Sequence, residues 1–472
     1  MKPENKSEKR ESGKAETCDL RVESVSAFPL SAFRISVCGL WHLGSVTAAC
    51  CAKHFSVVGL DFDAANVAKL NSGQAPLLEP GLNELIAAGL AAKKLSFTTD
   101  PKIACANADV LWLTYDTPVN DHDESDVEFV LGNLRRALPS LPNGALVLIS
   151  AQLPVGTCAK LEKEFPQFHF ACSPENLRLG KAIEAFEKAE RAIVGIRTDA
   201  KKALLVELFK PFAAQTIFMR TESAEMVKHA LNSFLALSIT FINEVARLCE
   251  HTGADAKEVS VGLKSEARIG PKAYLGPGGP FAGGPLAREV VTLSKLAEAN
   301  GEKISVIPAI KQSNDLHRSW AFRRLQSRLG DLRGKKISIL GLTYTTNTDT
   351  LRRSAAVELC QQLLAAGAEV SAFDPAVKTL PTELFAGSAG IPAGENPAGK
   401  MPALPELAPD ISTALAGAEA VAVCTEWPQF RSADWVKIVP QMRQPVFVDA
   451  NRFLEKELKT IPGVEHLSVG RA

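Results

Sequence analysis

The chain lacks the features of zinc sites, disulfide frameworks and membrane spans. Its ten cysteines are scattered, with no CxxC pair and no cysteine–histidine cluster at zinc-ligand spacing, which predicts free thiols and no metal site. The longest apolar stretch, residues 234–242, is too short to cross a bilayer. Formal charges balance to zero, so we expect no nucleic-acid or anionic membrane surface. These absences predict a soluble protein of the reducing cytoplasm.

The N-terminal segment differs in composition from the rest of the chain. Residues 1–33 begin with a dense run of charged side chains and have no apolar core, which argues against a signal peptide and predicts a disordered tail. The whole chain of 472 residues is long enough for two or three domains.

A strand, a glycine turn, a helix and a second strand come after this tail. Asp61 ends the second apolar run, about twenty residues beyond Gly39, where a dinucleotide-binding βαβ unit places the carboxylate that holds a ribose hydroxyl. This carboxylate favours NAD, because it would repel a 2′-phosphate. The turn keeps the first and last glycines of the GxGxxG pattern, Gly39 and Gly44, with Leu40 after the first and Trp41 in the middle position. A βαβ unit with a purely structural role is the alternative.

Further apolar runs at 108–118 and 144–157 predict buried parallel strands, each ending in a polar turn. Thr117 lies in the polar end of the first run, and Glu175 lies just past a further strand predicted within 169–182. Ligands collect at such strand ends in open α/β sheets. Residues 221–253 then change to a helical period, and Lys228 and Asn232 share one face of this helix because they stand four apart. The apolar remainder of the helix predicts a domain interface or a dimer contact.

The segment 268–289 holds six glycines and four prolines, so it cannot be a regular helix or strand. It leads into a helical pattern, and a shaped loop at a helix N-terminus is suited to anionic groups. A surface connector is the alternative. Near its end Arg288 either neutralises a phosphate or pairs with Glu289.

A second strand–glycine–helix–strand unit appears after residue 331, with Asp374 in the place of Asp61. We therefore predict an α/β protein with two Rossmann-like doubly wound domains joined by a central helical dimerisation region. The expected boundaries are 34–215, 216–330 and 331–472. A Gly/Pro/Ala-rich stretch at 385–409 is expected to be a mobile insertion in the last domain.

Several motifs together resemble the UDP-glucose/GDP-mannose dehydrogenase family over nearly the whole chain. In chain order they are LNSGQAPLLEPGL at 70–82, FTTD at 97–100, Thr117-Pro118, PVGT at 154–157, SPENLRLG from 173, AEMVKHALNSFLAL with Lys228 and Asn232, RIG at 268–270, GLTY with NTDTLRRS, AFDP and TEW. The resemblance implies NAD as cofactor, a nucleotide sugar such as a UDP-hexose as substrate, a homodimer, and two successive oxidations of the sugar's C6 alcohol to a uronic acid.

The resemblance also implies the site residues. For the first oxidation it assigns Lys228, Asn232 and Glu289 to catalysis, Glu289 standing where the family usually has aspartate. Cofactor contacts are Gly39, Leu40, Gly44, Asp61, Thr117 and Arg288. Substrate contacts are Glu175, Lys228, Asn232, Tyr274, Gly276, Gly278 and Arg352, with Arg268 reaching across the dimer. A surface ion pair is the alternative for Arg268.

Three departures fall on the second oxidation, which needs a cysteine thiolate to capture the aldehyde and water to cleave the thioester. Pro285 stands at the position of the family's cysteine, while Leu179 and Gln152 replace a glutamate and a threonine associated with the hydrolytic water. Our leading hypothesis is an NAD-dependent nucleotide-sugar oxidoreductase limited to one oxidation, or to a reversible one. A non-catalytic binding relative and full oxidation to the uronate, with Cys172 as a conceivable substitute nucleophile, are the alternatives.

Overall fold

A computed structural model describes residues 33–118, 120, 125–175, 177–281, 284–385 and 404–471. The described strands form two sheets, of eight and six strands. The strands of the first sheet are β1 Arg34–Cys38, β2 Ser56–Leu60, β3 Leu95–Thr98, β4 Val110–Leu113, β5 Leu146–Ile149, β6 His169–Cys172, β7 Ala192–Gly195 and β8 Thr216–Met219. Those of the second are β9 Lys336–Leu340, β10 Glu369–Phe373, β11 Glu406–Leu407, β12 Ala420–Val423, β13 Val446–Asp449 and β14 Glu465–Leu467.

Helices connect the strands and fill the region between the sheets. With the first sheet go α1 His42–Cys51, α2 Ala64–Asn71, α3 Leu82–Ala91, α4 Pro101–Cys105, α5 Val127–Ala137, α6 Thr157–Glu164, α7 Ala182–Glu187 and α8 Lys202–Phe209. Between the sheets lie α9 Thr221–Thr252, α10 Ala256–Ser265, α11 Pro285–Ala299, α12 Val306–Arg318 and α13 Trp320–Leu329. With the second sheet go α14 Ala355–Ala365, α15 Ile411–Leu415, α16 Pro428–Arg431, α17 Trp435–Ile438 and α18 Glu455–Leu458.

The first sheet has the strand order β3-β2-β1-β4-β5-β6-β7-β8 and is parallel except where β6 meets β7. Its central strands β4 and β5 are buried at every residue, as their uninterrupted apolar sequences predict. The order reverses between β1 and β4, and ligands of doubly wound sheets bind at such a reversal, outside the carboxyl ends of the strands.

The second sheet has the order β11-β10-β9-β12-β13-β14, all parallel, and reverses between β9 and β12. Two sheets of the same design on either side of a helical region confirm the predicted fold class. The expected first boundary, after residue 215, falls just before β8, which pairs with β7 and extends the first sheet to Met219.

The long helix α9 confirms the helical prediction for 221–253 and ends at Gly253, whose φ of 75° is the left-handed conformation that favours glycine. Its 32 residues span about 48 Å at the rise of an α-helix. None of the described helices is both long and apolar enough to cross a membrane. The predicted tail 1–33, except Phe33, and most of the predicted insertion 385–409 lie outside the described residues.

Candidate active site

A cavity lies where the carboxyl ends of β4, β5 and β6 face α9 and α11. Its lining combines strand ends with charged side chains from both helices. The lining residues are Leu43, Tyr115, Asp116, Thr117, Ile149, Ser150, Ala151, Gln152, Leu153, Cys172, Pro174, Glu175, Glu225, Lys228, His229 and Arg288. Among the predicted site residues, Thr117, Glu175, Lys228 and Arg288 are therefore brought together.

The glycine turn after β1 begins beside this cavity. Gly39 has a φ of 96°, and a Cβ atom there would lie 2.6 Å from the Tyr115 ring. At Gly44 a Cβ atom would lie only 1.6 Å from the carbonyl oxygen of Gly39. Both glycines are thus required by close packing of turn, helix and strand, as in a dinucleotide-binding turn.

Asp61 closes the turn from the end of β2. Its Oδ2 accepts a hydrogen bond from the Leu40 amide at 2.7 Å, and its side chain is nearly buried. Trp41, the residue before α1, is 51% exposed, so its indole is not packed into the core of the domain. The turn and the acid fit the adenosine half of NAD, and the N-terminus of α1 provides the amides that a pyrophosphate needs.

Thr117 and Gln152 link the ends of β4 and β5. The Thr117 hydroxyl donates to the Gln152 carbonyl at 2.8 Å. The Gln152 side chain extends toward α11, where its Nε2 donates to Glu289 and its Oε1 accepts from Arg288. The side-chain amide is thereby fixed in one orientation by an anion on one side and a cation on the other.

Lys228 reaches the cavity from α9. Its Nζ donates to the Glu175 carbonyl at 2.6 Å and lies 4.0 Å from the Glu175 carboxylate. Asn232, one turn further along the helix, is 6% exposed, and its Nδ2 has no hydrogen-bond partner among the described residues. The ammonium is therefore held at the cavity wall, while Asn232 lies behind it.

Glu289 lies outside the cavity lining and is completely buried. Its Oε1 accepts from Gln152 and from Arg288 Nε, the latter at 3.2 Å, and its Oε2 contacts His229 Nδ1. The other ring nitrogen of His229 lies 3.2 Å from the Leu153 carbonyl. Both ring nitrogens of His229 therefore face oxygen atoms of other residues. Glu289 therefore contacts Arg288 and His229 from behind the cavity lining.

The glycine-rich segment is held on three sides by amide and imidazole side chains. Asn243 of α9 accepts from the Gly278 amide at 3.0 Å, and Asn451, after β13, accepts from the Gly279 amide at 2.8 Å. From α12, His317 Nε2 donates to the Gly278 carbonyl at 2.8 Å. Burial lowers the pKa of His317 to about 4, which keeps it neutral in this role.

The remaining predicted substrate residues lie outside the cavity lining. Arg268 is largely exposed and pairs with Glu266 at 2.9 Å, which matches the surface ion pair considered for it. Tyr274 is 57% exposed. Arg352 is exposed on the segment between β9 and α14, and Gly276 is exposed in its loop. Within one chain these residues do not converge on the cavity.

Pro285 is the first residue of α11 and is exposed. Proline suits this position because the first amides of a helix have no partner within it. Cys172, the last residue of β6, does line the cavity.

The cavity residues that were not predicted as site residues include Asp116, Glu225 and His229. Their partners are distant in sequence, since Asp116 meets Leu43, Glu225 accepts from the Gly156 and Cys158 amides, and His229 meets Glu289. The sequence offered one signal for these residues, which is that a titratable residue next to a predicted site residue can also lie at the site. His229, for example, follows Lys228.

In the second domain, Arg452 was also missed. It lies after β13 with a φ of 58°, and its Nη1 donates to Asp255 at 2.6 Å. Its Nε and Nη2 are buried and have no hydrogen-bond partner among the described residues. A buried guanidinium with two such donors is suited to an anionic group.

Comparison with known proteins agrees with this arrangement. Residues 33–213 match the NAD binding domain of the UDP-glucose/GDP-mannose dehydrogenase family, 222–316 its central domain and 338–456 its UDP binding domain. The chain is 31% identical over 453 residues to a UDP-glucose 6-dehydrogenase of Rhizobium meliloti, covering 93% of this chain and 99% of the relative. It is 30% identical over 446 residues to one of Bacillus subtilis, covering 93% of each.

Solved structures show the same fold. A UDP-glucose dehydrogenase of Pyrobaculum islandicum superposes with a TM-score of 0.81 at 28% identity, covering 95% of this chain and all of the other. A UDP-D-ManNAc dehydrogenase of Pyrococcus horikoshii superposes with a TM-score of 0.78 at 23% identity, a likeness of fold. The expected NAD cofactor is confirmed by the matching domain, and the chain belongs to the UDP-glucose/GDP-mannose dehydrogenase family.

Proposed function

We propose that this protein is an NAD-dependent nucleotide-sugar dehydrogenase that oxidises the C6 alcohol of a UDP-hexose once, to the aldehyde. The observation that carries the proposal is an ammonium group kept at the cavity wall while the start of α11 presents Pro285, which has no nucleophilic side chain. The reaction removes a hydride and a proton from the alcohol, and NAD, when bound, supplies the hydride acceptor.

Support for the first oxidation comes from the setting of Lys228. Its side chain is 13% exposed, and its bond to the Glu175 carbonyl fixes the ammonium at the cavity wall. A cation held there stabilises the negative charge that develops on the alcohol oxygen as its proton leaves. Arg288, held by Glu289 and Gln152, adds a second fixed cation to the same wall.

The second oxidation lacks its groups in this arrangement. By gapless alignment Pro285 takes the position of the family's cysteine, and Gln152 takes that of a threonine associated with the hydrolytic water. The Gln152 amide is bonded to Arg288 and Glu289, so it is already engaged on both its oxygen and its nitrogen. An aldehyde formed here therefore meets no thiolate at position 285, and the amide at position 152 is not free to position water.

The test is the ratio of NADH formed to nucleotide sugar consumed, with the product identified by mass spectrometry. We expect one NADH per sugar at most and an aldehyde or its hydrate as product. Lys228→Met should lower kcat by about a hundredfold to a thousandfold, as loss of a transition-state donor does. Lys160→Met, an exposed lysine on α6, is the matched control and should leave kcat unchanged.

Two NADH per sugar together with a uronic acid would contradict the proposal. Binding of the nucleotide sugar without any NADH would favour a non-catalytic relative instead. An isomerised sugar with no net NADH would identify a reversible oxidation in place of net aldehyde formation.

A second candidate, full oxidation to the uronate, is favoured by the position of Cys172 in the cavity lining. Its thiol is nearly buried at the end of β6, and its hydrogen bond with the neighbouring Cys158 raises the pKa of the Cys158 thiol. Intact-protein mass spectrometry during turnover distinguishes the candidates. A sugar adduct that disappears in Cys172→Ala would establish this second function.

We also propose that the protein is a homodimer formed along α9. Phe234, Phe241 and Leu248 are 66%, 48% and 66% exposed and repeat every seven residues, so they share one face of the helix. Three large apolar side chains in one exposed stripe are typical of a protein interface.

Sedimentation equilibrium tests the dimer. We expect twice the chain mass for the natural protein and the monomer mass for Phe241→Lys, with an unchanged circular-dichroism spectrum. Val436→Lys, which changes a side chain 72% exposed in the second domain, is the control and should remain dimeric. A monomeric natural protein would contradict the proposal.

A further inference from the structure

The N-terminus of α1 is capped by a side chain from another part of the chain. The residue before the helix, Trp41, has no side-chain oxygen, and no side-chain cap hydrogen bond is made there. In the first turn the amides have no carbonyl partner within the helix, so they attract anions. Asp116, from the segment after β4, fills this role: its Oδ2 accepts from the Leu43 amide at 3.3 Å.

This place coincides with the pyrophosphate site of a doubly wound domain. Cys38, at the end of β1, pairs with Leu113, at the end of β4, so Asp116 lies at the point where the strand order reverses. In such domains the dinucleotide pyrophosphate sits at this reversal, against the first helix. The Asp116 carboxylate and a bound pyrophosphate would therefore both need the Leu43 amide.

We propose that Asp116 competes with the NAD pyrophosphate for the N-terminus of α1, so that the cofactor binds when this carboxylate is protonated. Two anions that share one helix end repel each other. Protonation removes this repulsion, and the neutral carboxyl group no longer competes for the Leu43 amide.

The charges around Asp116 come from three other elements. His42 of α1, bonded to Glu79 at 3.0 Å, and Arg288 of α11 favour its ionised form, while Glu175, after β6, opposes it. Asp116 as a residue is exposed at the mouth of the cavity. Partial desolvation by the protein atoms around it raises the pKa of Asp116 above its ordinary value.

Calorimetry with ADP-ribose and with adenosine tests the proposal, since only the first ligand carries the pyrophosphate. We expect Asp116→Asn to bind ADP-ribose about tenfold more tightly than the natural protein at pH 8, because a like charge a few ångströms from the pyrophosphate costs on the order of 1 kcal/mol or more. Adenosine affinity should not change. The natural protein should take up a proton with ADP-ribose, measured in buffers of different ionisation heat, and the variant should not.

Asp199→Asn is the control, because it removes the same charge from an exposed residue that pairs with Lys202 at 3.4 Å. The neighbouring Lys201 lines a cleft with Arg34 and Asp109, at the opposite end of the strands. Equal ADP-ribose affinity in Asp116→Asn and the natural protein would overturn the proposal. So would a lower melting temperature of the variant with no change in affinity, since Asp116 would then be only a cap for α1. Failure of both proteins to bind ADP-ribose would also overturn it.

Discussion

The two doubly wound domains share a strand order and a bond between an acid and a turn, yet they differ in the segment after the turn. In the first domain, α1 begins three residues after Gly39, so its free amides lie directly beside the turn. In the second, the chain runs from Gly341 through a long segment before α14 begins at Ala355. The same sheet thus supports a dinucleotide site in one domain, while the described segment 341–354 of the other places no helix end at that point.

The acids that contact the two turns, Asp374 and Asp61, also differ in their surroundings. Asp374 accepts from the Leu342 and Thr343 amides and from the Trp427 indole, and it is 3% exposed. Asp61 is 8% exposed and accepts from the Leu40 and Asp63 amides, with no indole among the donors that the structure describes. A carboxylate sealed by an indole is structural, whereas one beside an open helix end is suited to a ligand. Strand order by itself does not distinguish these two roles.

The largest effect should come from Gly44→Ala, which tests the close packing specific to the first domain. A Cβ atom 1.6 Å from the Gly39 carbonyl forces the turn and α1 apart. We expect a loss of more than about 3 kcal/mol of stability, because backbone cannot yield as a core side chain does. Thermal unfolding measures the change. Gly132→Ala in α5, where a new Cβ meets nothing within 4 Å, should be neutral or stabilising.

The next effect concerns the glycine-rich segment between the domains. Burial lowers the pKa of His317 to about 4, so the folded protein keeps this imidazole neutral while the unfolded chain binds a proton below about pH 6.5. Stability is full above pH 6.5 and falls as the pH drops toward 4, by up to about 3 kcal/mol.

His317→Gln should flatten this part of the acid dependence, because an amide can donate to the Gly278 carbonyl without titrating. Urea unfolding of both proteins at several pH values between 4 and 7.5 gives the comparison. Identical pH profiles would show that His317 does not carry the effect.

Smaller losses of stability should distinguish Asp374 from Asp61. Asp374→Asn should cost about 2 kcal/mol, because a buried charge-assisted set of hydrogen bonds loses its ionised acceptor. Asp61→Asn should cost about 1 kcal/mol of stability, since fewer donors depend on it, but should weaken NAD binding. Unfolding and NAD calorimetry on both variants check this. Equal losses of NAD affinity in the two variants would contradict the conclusion that Asp61 serves a ligand and Asp374 does not.

Local pattern predicted much of this structure. Apolar runs indicated β4 and β5, and the spacing of Gly39 and Asp61 indicated the turn that the structure closes with the Asp61–Leu40 bond. The helical period gave α9 and placed Lys228 and Asn232 one turn apart. These features depend on neighbours within a few residues or on one βαβ unit, where periodicity carries the information.

The site network could not be predicted in the same way. Asp116 meets an amide 73 residues earlier, and His229 meets Glu289 60 residues later. No local period encodes such pairs, because they arise from the packing of whole elements against one another. The resemblance assigned Glu289 to catalysis. In the structure Glu289 is buried and contacts Gln152, Arg288 and His229, and none of these contacts follows from a local pattern.

The attachment of the glycine-rich segment has a mechanical consequence. Asn451 holds Gly279 from the second domain, while Asn243 and His317 hold Gly278 from the central helices. A swing of the second domain would pull this segment along, and the segment leads toward α11, which bears Arg288 and Glu289. A movement of the second domain on binding a nucleotide would thereby shift the cavity wall that Arg288 lines.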